Sequence, residues 1–320
     1  MTGVDGGRAT NDDQGHRFVR MPRRVIVVEP GMSRRGTVYL RCLQAIGRHL
    51  PYGTNVYDRE WDVLIVLDAC RVDLLRTIAP AFEFINHVET IRSVGSSSSE
   101  WLENMFRDHP ETSRTVMVTG NTWTDRYLTA ENFAALDEVW KYAWNDHLGT
   151  VPARAVTDRA IAHARQSAPE RLVVHYMQPH HPFVPDPVSD DDGLARSGTH
   201  NNPINPWVLL RRGDLTTDRV WNAYEANLQY VLGEVETLLA NVDGRVAITA
   251  DHANLFGEWG LYGHPIYTPV PTLLAVPWVE TTGHDHRTRE PDLAPPEPLP
   301  VGRVYGTDSD REQLDALGYL

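Results

Sequence analysis

Asp251 and His252 follow directly on an apolar run and present a carboxylate oxygen and an imidazole nitrogen at one point of the chain. That donor pair suits Zn²⁺, Mn²⁺ or a similar ion. An isolated Asp-His pair in a loop is more often a cap or a surface pair. Asp68 shifts the balance, because it ends a second apolar run, Asp62-Val63-Leu64-Ile65-Val66-Leu67-Asp68. Strand C-termini of an open α/β sheet converge on one crevice, where two carboxylates can share an ion.

Hydroxyls come from the run Ser96-Ser97-Ser98-Ser99-Glu100. Ser97 with Glu100 three residues on reads as a capping box, which sets these hydroxyls at a helix N-terminus. There the dipole and the free N–H groups favour an anion, and a hydroxyl near a cation becomes a stronger nucleophile. Taken alone, the segment reads as a polar loop that caps the helix of residues 101–106. His180 and His181 precede Pro182-Phe183, and His264 lies in Gly263-His264-Pro265. A lone histidine is usually structural, but these can serve transferring oxygens or a leaving group near neutral pH. Cys70 reads as packing, since the anion-cradling loop and Arg of a thiol phosphatase do not follow it.

These groups need strands to carry them. Short apolar runs recur at 62–68, 115–118, 171–176 and 245–250, with helical stretches at 153–167 and 217–241 between them. Strands alternating with helices predict a largely parallel sheet with helices on both faces. The domain is expected to span 61–320. Residues 184–216 are polar, contain four prolines and the acidic run Asp190-Asp191-Asp192, and read as a lid or specificity insert. Residues 1–60 form an extension, with a mobile tail over 1–22 and a helix over 36–50 interrupted by Arg41 and Arg48. Packing on its own domain is favoured for that helix over lying on an anionic membrane.

The formal net charge of −13 is unevenly spread. Residues 1–60 hold 10 Arg against 6 acidic groups, leaving 20 Lys+Arg against 37 Asp+Glu in the rest. So acidic a body disfavours a nucleic-acid partner, whose affinity comes from Lys/Arg contacts to phosphates. Lys141 is the single lysine. Two cysteines make no disulfide framework, and no run of eighteen apolar residues predicts a membrane span. Ser33-Arg34-Arg35-Gly36-Thr37-Val38-Tyr39-Leu40 faintly resembles a twin-arginine export signal, but Arg41 and Arg48 interrupt the stretch where its apolar region would lie. The expected location is cytoplasmic.

In order, VLIVLDACRVDLL, GSSSSEWLENMF, HYMQPHHPFVP, YEANLQYVLGEVETLL and VAITADHANLFGEWGLYGHP resemble segments of the sulfatase and alkaline phosphatase superfamily. The terminal QLDALGYL is similar to a Leu-Gly-Tyr tail of many sulfatases. The resemblance implies an alkaline-phosphatase-like three-layer α/β/α sandwich with a largely parallel central sheet. It implies a divalent ion (Mn, Zn, Ca or Mg) on Asp68, Asp251, His252 and the nucleophile. That nucleophile would be Ser97, with Ser98 the close alternative, while His180 and His264 contact the transferring group. The substrate would be a small-molecule, glycan or lipid-headgroup ester. Ser99 and Trp101 stand where a formylglycine motif has Pro and Arg, and Ala69 replaces a second Asp. The set therefore looks most like single-site phosphotransferases acting through a covalent phosphoserine. A sulfate-ester hydrolase and a ligand-binding pseudoenzyme are the alternatives.

Overall fold

A computed structural model describes residues 32–188 and 205–296. Seven strands form the main sheet: β1 (Val63–Leu67), β2 (Glu89–Arg92), β3 (Thr115–Thr119), β4 (Ala135–Glu138), β5 (Arg171–Tyr176), β6 (Gly244–Thr249) and β9 (Ala275–Gly283). A two-stranded hairpin, β7 (Leu255–Phe256) and β8 (Tyr262–Gly263), projects after β6. The α-helices among the described residues are α1 (Arg34–Gly47), α2 (Val72–Ile78), α3 (Ser98–Phe106), α4 (Thr124–Tyr127), α5 (Ala153–Ser167), α6 (Pro206–Arg212), α7 (Thr217–Leu239) and α8 (Pro271–Leu274).

The strand order is β2-β9-β6-β1-β5-β3-β4. The pairs β6/β1, β1/β5, β5/β3 and β3/β4 are parallel, and β9 runs antiparallel to both β6 and β2. This is the expected mixed α/β fold with a mostly parallel centre. Every residue of β1 and β3 is buried, so both faces of the sheet are covered. The two faces can be told apart at β5. Tyr176 hydrogen-bonds Thr157 of α5 at 2.9 Å, whereas the adjacent His175 meets the Trp101 ring of α3 edge-on at 5.7 Å. Neighbouring residues of a strand point to opposite faces, so α5 and α3 cover opposite sides and form the outer layers.

The sequence-level expectations hold for the parallel core and less well elsewhere. Helix α5 has the predicted bounds, and α7 ends two residues early. Part of the stretch read as an irregular lid is helical, as α6, while residues 189–204 lie outside the described residues. The tail over 1–22 and the terminal Leu-Gly-Tyr segment also lie outside them. Among the described residues, no helix is long and apolar enough to cross a membrane.

Gly95 lets the serine segment fold tightly onto α3. A Cβ at Gly95 would stand 2.4 Å from the Trp101 amide nitrogen, inside any allowed contact. The turn before the helix therefore has room for no other residue without a backbone shift.

Candidate metal centre

Four parallel strands deliver polar groups from their C-terminal ends to one place: Asp68 after β1, Asn121 after β3, His175 within β5, and Asp251 with His252 after β6. Asp68 is aimed by a left-handed turn at Ala69, φ 61°. A side chain resists that conformation by about 1–2 kcal/mol, and two contacts hold it. The Ala69 N–H donates to Asp251 Oδ1 at 2.9 Å, and the Tyr224 hydroxyl donates to the Ala69 carbonyl. Asp251 Oδ1 also accepts the His252 N–H at 2.9 Å. Its Oδ2 is left facing His252 Nε2 at 3.5 Å and His175 Nε2 at 3.8 Å.

The Asp68 carboxylate sits opposite. Its Oδ2 accepts from Asn121 Nδ2 at 2.7 Å and from Ser98 Oγ at 3.2 Å, and lies 3.9 Å from His175 Nε2. Its Oδ1 lies 3.7 Å from His252 Nε2. Ser98 Oγ is also 3.2 Å from His252 Nε2. His252 Nδ1 is placed against the Ala253 carbonyl at 3.0 Å, so the proton belongs on Nδ1 and Nε2 carries the lone pair. All of these side chains are buried.

Among the described residues, Asp68 Oδ1, Asp251 Oδ2 and both ring nitrogens of His175 have no hydrogen-bond partner. A buried polar atom left unpaired costs about 1–3 kcal/mol, and here the unpaired atoms converge. One ligand atom from each of Asp68, His175 and Asp251 lies within 4.8 Å of the others. Burial, and then the neighbouring Asp251 charge, pushes Asp68 well above the usual carboxylate range. Burial acts on Asp251 in the same sense, but His252 and His175 outweigh it and hold that carboxyl below its ordinary value. Burial lowers His175 to about 4, leaving a neutral imidazole able to act as a ligand. Two carboxylates, two imidazoles and a hydroxyl form a donor set that fits a divalent ion of the Zn²⁺ or Mn²⁺ type.

Asp68, Asp251, His252 and Ser98, all singled out from the sequence, are brought together. Ser97, expected as ligand and nucleophile, is placed differently. It is the N-cap of α3, where its hydroxyl accepts the Glu100 N–H at 3.4 Å and shares a 3.1 Å hydrogen bond with Ser99. Glu100 reaches back to the Ser96 N–H at 2.9 Å and its hydroxyl at 2.8 Å. Ser98 is the first residue inside the helix, turned about 100° from the cap, and that turn points its hydroxyl at the carboxylates.

The histidines continue the cluster. His264 stacks on His252 with ring centroids 4.5 Å apart, and His180 meets His264 edge-on at 5.0 Å and stacks on His181 at 4.3 Å. Asn254 Oδ1 fixes His264 Nδ1 at 2.7 Å. His180 Nδ1 faces the His181 carbonyl, its Nε2 has no partner among the described residues, and burial lowers its pKa to about 4. Asn227 of α7 clamps this segment, donating to the carbonyls of Pro179, His180 and Pro182 at 3.1, 2.9 and 3.3 Å.

Two of the buried fixed cations are already paired. The Arg71 guanidinium is committed to Asp73, Glu258 at 2.7 Å and the Asn254 carbonyl at 2.8 Å. Lys141 is held by Asp125 at 2.8 Å and Glu138 at 2.5 Å. Sequence reasoning missed His175, Asn121, Asn227 and Asn254 as parts of the site. His175 had a signal, as the single imidazole within the apolar run Leu172–Tyr176.

No family model matches the sequence, and no curated protein matches it. Solved structures do. The soluble domain of lipooligosaccharide phosphoethanolamine transferase A from Neisseria meningitidis is similar over 70% of this chain and 77% of its own, with 14% identity and a TM-score of 0.48. Against the integral membrane form of that transferase the chain covers 55% of its length, using 79% of its own residues, at 14% identity and a TM-score of 0.48. A protein described as belonging to the alkaline phosphatase superfamily, from Vibrio parahaemolyticus, is similar over 80% of this chain and 70% of its own, with 10% identity and a TM-score of 0.39. The superfamily whose motifs the sequence resembles is thus named among the similar structures. At these scores the likeness carries no argument about chemistry. The cytoplasmic location expected from the sequence is corrected: similar structures are described as periplasmic domains and an integral membrane protein. Neither a missing span nor a broken signal-like run fixes a compartment.

Proposed function

We propose that the protein is a metal-dependent phosphoester hydrolase or phosphotransferase that works through a covalent phosphoserine on Ser98. One observation carries the reading. Ser98 Oγ stands 3.2 Å from both Asp68 Oδ2 and His252 Nε2, inside a buried group of unpaired ligand atoms. Asp68, Asp251, His252 and His175 are the residues that would hold the ion. When bound, it would supply Lewis-acid polarisation of the ester and a lowered pKa for the neighbouring hydroxyl.

The chain's own residues supply the rest. Asn121 fixes the Asp68 carboxylate, and the Ala253 carbonyl fixes the His252 tautomer, so that Ser98 Oγ is held ready for in-line attack. The Oγ–P bond forms as the bond from phosphorus to the leaving alcohol breaks. The serine proton ends on the departing alkoxide, and His180 Nε2, a buried acceptor with no hydrogen-bond partner among the described residues, is the group that would meet the transferring phosphoryl or the leaving oxygen. Water or a second alcohol then takes the phosphoryl group from Ser98 and restores the hydroxyl.

Phosphate is favoured over sulfate because, counted from Ser98, Glu100 and Leu102 occupy the Pro and Arg positions of a formylglycine motif, which leaves an ordinary hydroxyl at the centre. Phosphomonoester, phosphodiester and sulfate-ester model substrates, each tried with Mn²⁺, Zn²⁺, Mg²⁺ and Ca²⁺, test the class. Turnover of a phosphoester that chelation abolishes is expected. Preferential turnover of the sulfate ester would make the protein a sulfatase. Metal binding without turnover of any ester would make it a ligand-binding relative.

A further inference from the structure

Four of the five large hydrophobic side chains exposed among the described residues lie on or just after α1: Val38, Tyr39, Ile46 and Leu50, each between 40% and 61% exposed. The helix has a different apolar face for its own domain. Leu40 is buried with Leu255, Leu261, Val270 and Leu273, and Met32 and Leu43 pack alongside. At 100° per residue, Val38, Tyr39, Cys42 and Ile46 fall on the side away from Leu40. Arg34, Arg41 and Arg48, spaced by seven, form a stripe along one border between the two faces, and all three are exposed. Residues 30–57 contain three arginines besides Arg35 and no Asp or Glu between Pro30 and Tyr57, in a chain of net charge −13.

The helix is firmly mounted. Ser33 caps it, accepting the Gly36 N–H at 3.1 Å. A Cβ at Gly47 would come within 2.1 Å of the Tyr267 carbonyl oxygen, so helix and loop are in backbone contact. Arg48 lies over the Tyr267 ring at 5.0 Å, and the Tyr267 N–H donates to Glu100, the residue that braces the turn before Ser98. An exposed apolar face on a mobile arm would mean little; this one is built onto the metal-binding half of the domain.

We infer that the outer face of α1 docks on an anionic lipid surface. Its arginine stripe, on a segment without Asp or Glu, favours a negatively charged surface over a second copy of this acidic chain as the occupant. Val38, Tyr39 and Ile46 enter the headgroup–acyl boundary, while arginine stems lie along the helix and keep their guanidinium groups at the phosphates. The inference goes beyond the phosphoester reading and does not depend on it.

Cosedimentation of the full chain with vesicles tests it. Vesicles of phosphatidylglycerol and phosphatidylcholine in equal parts should carry the protein down at low salt, and phosphatidylcholine alone should carry little. Arg34→Gln and Arg41→Gln should each weaken binding about fivefold, from about 1 kcal/mol per basic residue at such a surface, and high salt should weaken it in wild type. Val38→Asp with Ile46→Asp should abolish it. Both positions are exposed, so an unchanged melting temperature and metal content in the double variant certify its fold. Equal binding by wild type and double variant overturns the inference, as does equal binding to both vesicle types. Failure of the full chain to bind, with binding restored on removing residues 1–31, overturns it in favour of the N-terminal segment as occupant. A dimer that the double variant dissociates, without vesicle binding, overturns it in favour of self-association.

Discussion

Ser98→Ala is expected to lower kcat by on the order of 10⁴-fold or more, with bound metal and folding intact. The size of the effect follows from the role: removing a nucleophile removes the covalent route, and only positioning of the ester beside water survives. Ser97→Ala is the informative comparison. Its hydroxyl caps α3, so its loss should cost about 0.5–2 kcal/mol of stability and change kcat by only a few-fold. The two substitutions delete the same oxygen one residue apart, and they should split cleanly between turnover and stability. A large kcat loss in Ser97→Ala with normal turnover in Ser98→Ala would return the nucleophile to the cap residue. Full activity in both, and in the double variant, would mean that water attacks directly.

Asp251→Asn should remove the metal while leaving the apo fold in place. Asn keeps an oxygen for the two backbone N–H groups of Ala69 and His252 that Asp251 Oδ1 now accepts. It also removes one of two charges in the same buried space, a charge that adds to burial in raising Asp68. Against that stands the loss of a charge that His252 and His175 favour, so the apo variant is expected to melt close to the apo wild type. Wild type should gain about 2.7 kcal/mol at a metal concentration 100 times Kd, and the variant should gain almost nothing. Titration of metal against melting temperature reads both numbers at once. An equal metal-induced gain in the variant would take Asp251 out of the ligand set.

The parts of the fold that could be read from the sequence are those with continuous apolar runs. Val63–Leu67 and Arg171–Tyr176 have no face open to water, so their pattern is a plain block that ends where a polar group is delivered. The antiparallel edge was not legible in the same way. β9 alternates buried and exposed positions toward its end and contains Pro277, and β2 has one buried residue of four. Asp68, Asp251 and His252 could be found because they follow such blocks. His175 was harder, because it lies inside one, and which face it points to depends on pairing with β1 and β3. The Ser97/Ser98 distinction was beyond the capping pattern. That pattern says where a helix begins, but not which hydroxyl the first turn swings toward strands far away in the sequence.

Trapping the intermediate tests the central claim most directly. The metal-loaded protein is mixed with a slow phosphodiester substrate, quenched in acid, and the peptide spanning Ser96–Ser99 is mapped by mass spectrometry with site-resolving fragmentation. Phosphate is expected on Ser98, in an amount that rises with substrate and is absent after chelation. Phosphate on Ser97, or turnover without any phosphorylated peptide, would contradict the assignment of Ser98 as nucleophile.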